Sequence, residues 1–239
     1  MRKLFLLLFC FILLISTSSS DGFIFVRKSG GYLFSSNWNG AADADDNGKW
    51  DSQNLDSECT VSSDQVLFTS DPGNDTAYLD KDLPSEYALV CASVDWKTDN
   101  LTRCTATTQY ITIVRLADSG GQSIQRLLAR CNAGNDLDQY MQYYRTDAGE
   151  VGDNWTPTDS IEADSIHTIK MCYYHDSSPS SGYAKVWIQG NLESNQTSID
   201  NDASNIIDSV RIGVTGASAA ASGTFVVTMD NFYLDDGVY

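Results

Sequence analysis

The chain has 239 residues, 42% of them hydrophobic and 20% charged, with a formal net charge of −17. So acidic a chain is excluded from binding nucleic acid or an anionic membrane surface through bulk charge, and polyanionic polysaccharides are disfavoured on the same ground. Neutral glycans, cations and basic partners stay open, and the length suits one all-β sandwich with a substantial core.

Arg2 and Lys3 precede an apolar run from Leu4 to Ile15, followed by Ser16 to Ser20. That run is too short to span a bilayer comfortably. The pattern reads as a secretory signal peptide over residues 1–20, cleaved near its end. An uncleaved anchor is the alternative. The expectation is therefore a secreted single domain, 21–239, that is not membrane-embedded after cleavage. Cleavage leaves 13 basic and 32 acidic residues, a formal charge of −19. Cys59, Cys91, Cys104, Cys131 and Cys172 remain. In an oxidising compartment they predict two disulfides and one thiol, with connectivity open. Their spacing does not suggest zinc. Asn74, Asn100, Asn154 and Asn195 each head an Asn-x-Ser/Thr triplet, an acceptor for glycosylation in a eukaryotic secreted protein.

Short strands are predicted at 23–26, 32–34, 66–68 and 77–79. Between the second and third lies a polar segment whose large apolar residues, Trp38 and Trp50, should pin it to the sandwich. From Tyr87 the pattern is regular, with strands at 87–96, 109–117, 124–132 and 138–145 separated by turn residues. A polar loop is expected over 146–164. Then comes a hairpin. Ile169, Met171 and Tyr173 alternate with polar neighbours, as do Ala184, Val186 and Ile188 after the turn. Period-two alternation marks strands with one buried face. Strands at 206–214 and 224–234 complete the domain. Parity nominates a core of Leu127, Ala129, Cys131, Ile169, Met171, Tyr173, Val186, Ile188, Val210, Ile212, Val214, Phe225, Val227 and Met229. The fold class is all-β: a two-sheet antiparallel β-sandwich, or jelly roll.

The segments SIHTIKMCYY, SGYAKVWIQGN, DSVRIGV and FVVTMDNFYLDDG occur in that order. Together they resemble the second half of a concanavalin A-like lectin/glucanase domain of the laminin G-like type. Ile166-His167 stands where that family usually has Trp-His, and Gln189-Gly190 where Asp-Gly is common. The resemblance implies a jelly roll and, often, glycan or protein binding. The superfamily also holds hydrolases and lyases, so fold alone does not decide function.

Asp43, Asp45, Asn47 and Asp51, with Gly48 at the sixth position, match the first half of a calcium loop. Calcium favours such hard oxygens, so it is the candidate cofactor. The twelfth position, Asn54, is not the bidentate Glu, so an EF-hand is rejected. A solvated acidic turn is the competing reading. Asp230, of opposite parity to Val227 and Met229, is a further metal candidate.

Glycoside hydrolysis needs two carboxylates on one site. Glu162-Ala-Asp164 ends in His167 where the family acid would stand, so no catalytic residue is assigned. A lyase would need a base such as His167 or Tyr174 and a cation for the uronate. Arg115, Arg130 and Arg145 are present, but nothing in the sequence gathers them. Glycan recognition uses exposed aromatics and a few orienting polar groups. Trp187 and Tyr174 have outward parity, and Tyr143 and Arg145 lie on an aromatic strand, making these four the candidate ligand-binding residues. The expected function is non-catalytic binding of a glycan or glycoprotein. A polysaccharide-active enzyme and a protein-binding adhesion module are the alternatives.

Overall fold

The computed structural model describes residues 32–54, 59–70, 76–99, 110–131, 137–155, 161–202, 206–217 and 225–236. The expected signal peptide, the strand at 23–26, Asn74, Asn100 and Cys104 lie outside them. So do the side chains of Asn154, Trp155 and Phe225.

The strands, in chain order, are β1 (Phe34–Ser36), β2 (Ser52–Asn54), β3 (Cys59–Ser62), β4 (Gln65–Ser70), β5 (Ala77–Tyr87), β6 (Leu89–Thr98), β7 (Tyr110–Ala117), β8 (Ser123–Cys131), β9 (Leu137–Thr146), β10 (Gly149–Trp155), β11 (His167–Tyr174), β12 (Gly182–Ile188), β13 (Asn191–Ile199), β14 (Ile207–Ala217) and β15 (Phe225–Asp235). One sheet has eight strands, in the order β13-β12-β11-β6-β15-β4-β3, with β1 also on β15. The other has seven, in the order β10-β9-β8-β7-β14-β5-β2. Neighbours pair antiparallel, and the result is the expected jelly-roll sandwich. Among the described residues no helix is long and apolar enough to cross a membrane.

The hairpin forms as its alternation requires. Ile169 faces Ile188, Met171 faces Val186 and Tyr173 faces Ala184, all buried. Gln189 and Gly190, with φ of 49° and 80°, make the two-residue turn into β13. Positive φ at both positions is the geometry whose twist matches hairpin strands. Four strands escape the sequence reading. β10 occupies the segment read as a loop, β13 (NLESNQTSI) has little apolar periodicity, and β2 and β3 fall where no strand is predicted. All four are end strands of their sheets, so none needs a continuous apolar face.

The inner faces meet in one core. Trp96 of β6 donates from Nε1 to the Tyr140 hydroxyl of β9 at 3.1 Å, with the rings edge-on at 6.1 Å. Nearer the sandwich end, a polar chain links the sheets. Gln125 donates to Gln142 (3.0 Å), Gln142 to Ser194 (2.5 Å), and Ser194 to Asp153 (2.5 Å). Buried polar groups persist where they partner one another, since an unpaired one costs about 1–3 kcal/mol; in this polar chain the buried Gln125 Oε1 is left without a donor among the described residues.

Trp38 and Trp50 pin the acidic segment as expected. They are buried and stacked at 6.2 Å. The Trp38 indole donates to the Ala44 carbonyl, and that of Trp50 to the Ser36 hydroxyl. Buried Asp46 accepts from Ser36 and Lys49, both at 2.7 Å.

Cys91 and Cys172 face each other across β6 and β11 and form a disulfide, Cα–Cα 4.1 Å. Cys131 is disulfide-bonded as well. The Cys91–Cys172 bridge joins residues 81 apart in sequence, a long loop whose closure restricts the unfolded chain. The double variant Cys91→Ala/Cys172→Ala is expected to lose about 2–4 kcal/mol of unfolding free energy. Equal denaturant midpoints for variant and wild type would refute this.

Candidate functional site

Three neighbouring strands of the seven-stranded sheet turn apolar residues inward: Leu127 on β8, Val114 and Leu116 on β7, Val210 and Ile212 on β14. Side chains alternate along a strand, so the interleaved positions point out. Those positions are Arg126, Arg115 and Arg211. Register aligns them, Arg126 opposite Arg115 and Arg115 opposite Arg211, with Asp80 of β5 next in line. Tyr143 lies opposite Arg126 on β9, with the guanidinium 4.4 Å from its ring centre. At the other end Arg211 sits 3.9 Å from the ring centre of Tyr78. Arg130 and Arg145 share this outer parity. All five arginines among the described residues (Arg115, Arg126, Arg130, Arg145 and Arg211) thus belong to one sheet face.

The row is not uniformly neutralised. Arg126 makes a forked pair with Glu150, at 3.1 and 2.9 Å. Arg211 pairs with Asp80 at 2.6 Å. Arg115, at the centre, makes no ion pair among the described residues and donates to the Gly121 carbonyl. Burial, and then the charge of Arg211, hold its pKa below the ordinary arginine value. The Nε atoms of Arg115 and Arg211 are both buried without a protein acceptor. Like charges opposed across strands are destabilising. The fold therefore carries here a repulsion and two unmet donors that its own packing does not require.

A groove of about 550 Å³ opens beside them, lined by Arg115, Arg211, Asp80, Asp82, Asp118 and Asp208 among others. Its wall is the turn Asp118–Gln122. Asp118 Oδ1 accepts from Gly120 and Gln122, holding the turn closed. With the Gln122 amide oriented by its hydrogen bonds, its oxygen accepts from Arg145 at 2.8 and 3.3 Å. Arg115 and Arg145 thus brace the same turn from two strands.

The four residues nominated for ligand binding fall on opposite faces of the molecule. Tyr143 and Arg145 join the arginine face. Tyr140 and Tyr144, on the same strand, turn into the core. Trp187 and Tyr174 lie on the outer face of the eight-stranded sheet. There Lys170 sits 5.9 Å from the Trp187 ring centre, and Tyr174 donates to Asp176 at 2.8 Å. Accepting that bond, Asp176 pushes the Tyr174 phenol up. His167, one of two histidines in the chain, is buried and packs 6.1 Å from Trp96. His175 follows β11 on the other sheet. The lyase bases named from sequence are therefore remote from the arginines. Glu162 and Asp164 lie exposed in the turn before β11 rather than on a strand.

In the acidic loop, Asp43 accepts from the Asn47 amide at 3.0 Å and Asp45 from Gly48 at 2.7 Å. Asn47 accepts from Ala42 at 3.2 Å. These are turn-closing bonds. Asp51 turns to β5, accepting from the Asp82 amide and pairing with Lys81. Asp230 points outward, as its parity requires, and accepts from the Asn231 amide at 2.7 Å. Burial raises its pKa first, with neighbouring Asp95 adding to the effect. A different trio converges. Asp147, Asp200 and Asp202 bring carboxylate oxygens within 4.8 Å of one another, an arrangement able to hold a metal ion.

No family model matches the chain, and no curated protein does. Solved structures do resemble it. An endo-β-1,4-glucuronan lyase from the fungus Trichoderma reesei superposes with a TM-score of 0.63 at 12% identity, over 86% of this chain and 95% of that one. The alginate lyase Aly36B gives 0.56 at 15%, over 84% and 95%. A structure of botulinum neurotoxin type C, whose cell entry depends on interaction with two ganglioside molecules, gives 0.52 at 11%, over 78% and 42%. The likeness shows the fold, a two-sheet jelly-roll sandwich. Nothing in these matches is particular to the laminin G-like type.

Sequence reasoning missed the arginine row. A signal existed, since each arginine interrupts an apolar strand at outward parity. The pairing that aligns them did not show. Bulk charge also hid it, because a net charge sums over the whole chain and says nothing of where its few cations gather.

Burial, and then the charge of Asp82, hold the Asp208 carboxyl above its ordinary value. The folded state therefore binds this proton more tightly than the unfolded chain. The stability it contributes is present at low pH and lost as pH rises through the folded pKa. Asp208→Asn should raise the melting temperature at neutral pH, and the gain should vanish below the unfolded carboxylate pKa. A gain that persists at low pH would contradict this assignment.

Proposed function

We propose that the chain binds an acidic glycan, free or carried on a glycoprotein, across the outer face of the seven-stranded sheet. The observation that carries this reading is the in-register row Arg126–Arg115–Arg211, with its two unmet guanidinium donors. A guanidinium presents donors in a planar fork that suits a carboxylate. Neighbouring strands repeat about every 4.8 Å, so the row offers a periodic line of cations running across the strands. Tyr143 and Tyr78 supply ring faces at its two ends. The bulk charge argues against polyanions, but recognition acts over a short range. Screening confines exposed charges to about 8 Å at physiological salt. The lyases of matching fold, named for glucuronan and alginate, favour a uronate ligand.

Arg115→Ala should weaken binding of a uronic-acid oligosaccharide about ten- to a hundredfold, from loss of one charged hydrogen-bonding group. Titration calorimetry with oligoglucuronate and oligoalginate measures it. Absence of binding by the wild-type protein to either, or an unchanged affinity in the variant, would remove the reading.

Catalysis is the second reading, favoured by Tyr143 against Arg126. In β-elimination an arginine neutralises the uronate carboxylate. A base then takes the proton beside it, and the glycosidic oxygen leaves protonated. With both histidines remote, a tyrosine on this face would serve as that base. Loss of ultraviolet-absorbing unsaturated product in Tyr143→Phe, with binding retained, would separate catalysis from binding.

Calcium belongs to the proposal through Asp147, Asp200 and Asp202, which supply hard oxygens. Calcium should raise the melting temperature of EDTA-treated protein, and Asp200→Asn should reduce that rise. No shift at saturating calcium would exclude the ion.

A further inference from the structure

One acceptor triplet, Asn195-Gln196-Thr197, is fully placed in the fold. It lies on β13, the end strand of the eight-stranded sheet, paired among the described residues to β12 alone. Ser194 is buried, and Asn195 is exposed on the outer face opposite Lys185. Thr197, opposite Tyr183, is exposed as well. The Asn195 amide makes no hydrogen bond among the described residues, so its nitrogen is accessible. A second observation concerns compartment. Cys91 and Cys172 form a buried disulfide, and Cys131 is oxidised too. Such bonds persist outside reducing cytosol, along the route where asparagine-linked glycans are added. A third concerns need. β13 is a nine-residue edge strand whose one ionisable residue is Glu193, and whose Leu192 is 47% exposed. Long edges of this kind invite pairing with another chain unless something covers them.

We propose that Asn195 carries an N-linked glycan and that this glycan shields the β13 edge. Asn195 Nδ2 forms a bond to the anomeric carbon of a lipid-diphosphate-linked oligosaccharide. The anomeric C–O bond breaks, the lipid diphosphate leaves with the electron pair, and the displaced amide proton passes to a base of the transferase. The modification lies on the sheet opposite the arginine face, so it leaves the proposed ligand groove open.

The test is expression of the full chain in a eukaryotic secretory host, followed by peptide mapping. Trypsin isolates Asn195 conveniently, since no Lys or Arg falls between Lys185 and Arg211, and no other acceptor triplet does. The 186–211 peptide should carry an oligosaccharide mass that peptide N-glycosidase removes, leaving aspartate at 195. Thr197→Ala and Asn195→Gln should abolish it, and Thr197→Ser should keep it. An unmodified 186–211 peptide from the wild-type protein overturns the proposal without recourse to any variant. Native protein deglycosylated by the enzyme should self-associate in sedimentation velocity. An unchanged sedimentation coefficient, beyond the loss of glycan mass, overturns the shielding role.

Discussion

The contact between Trp96 and Tyr140 holds the geometry on which the rest depends. It joins the middle of the eight-stranded sheet to the seven-stranded one by a ring-on-edge contact and a hydrogen bond, inside a core neither residue can leave cheaply. Aromatic pairs of this kind add about 0.5–1.5 kcal/mol beyond burial. Burial pushes the Tyr140 phenol far up, so it stays neutral as partner to the indole. More important than its energy is its directional effect. Once Tyr140 faces inward, Tyr143 must face outward, because side chains alternate along β9. The same step places Arg126 outward on β8, and register carries the effect to Arg115 and Arg211.

The arginine face is therefore a by-product of core burial in position, but not in composition. The core requires only that something face outward there. Neutral polar residues would avoid the repulsion between opposed guanidinium groups. Keeping three arginines in line, with donors unmet by the protein, costs stability that a carboxylate-bearing ligand would return. The acidic residues beside them, Asp80, Asp82, Asp118 and Asp208, limit that cost while setting up a pH-sensitive rim.

The opposite sheet follows a different plan. Its outer face mixes Lys170, Lys185, Trp187, Tyr174 and Tyr183, paired ring to ring or ammonium to ring. These aromatics have partners already. Trp187 and Tyr174 looked like ligand platforms from their parity alone, and parity was right about their direction. It carries no information on which of two outer faces they share, or with which neighbours.

The hairpin of β11 and β12, the inward residues of β8, β14 and β15, and the pinning role of Trp38 and Trp50 were all legible in the sequence. Each rests on alternation or turn chemistry within a few residues, and a half-buried strand has no other way to satisfy both faces. β2, β3, β10 and β13 were not legible, because an end strand is held by its neighbour's hydrogen bonds and needs no apolar stripe of its own. The arginine row was beyond reach for a further reason. Arg115 and Arg211 are 96 positions apart, and their alignment depends on pairing interrupted by bulges between Thr112 and Val114 and between Ile212 and Gly216. One residue of slip would have turned an arginine into the core. Local pattern determined which residues face out. Only the long-range register decided which of them meet.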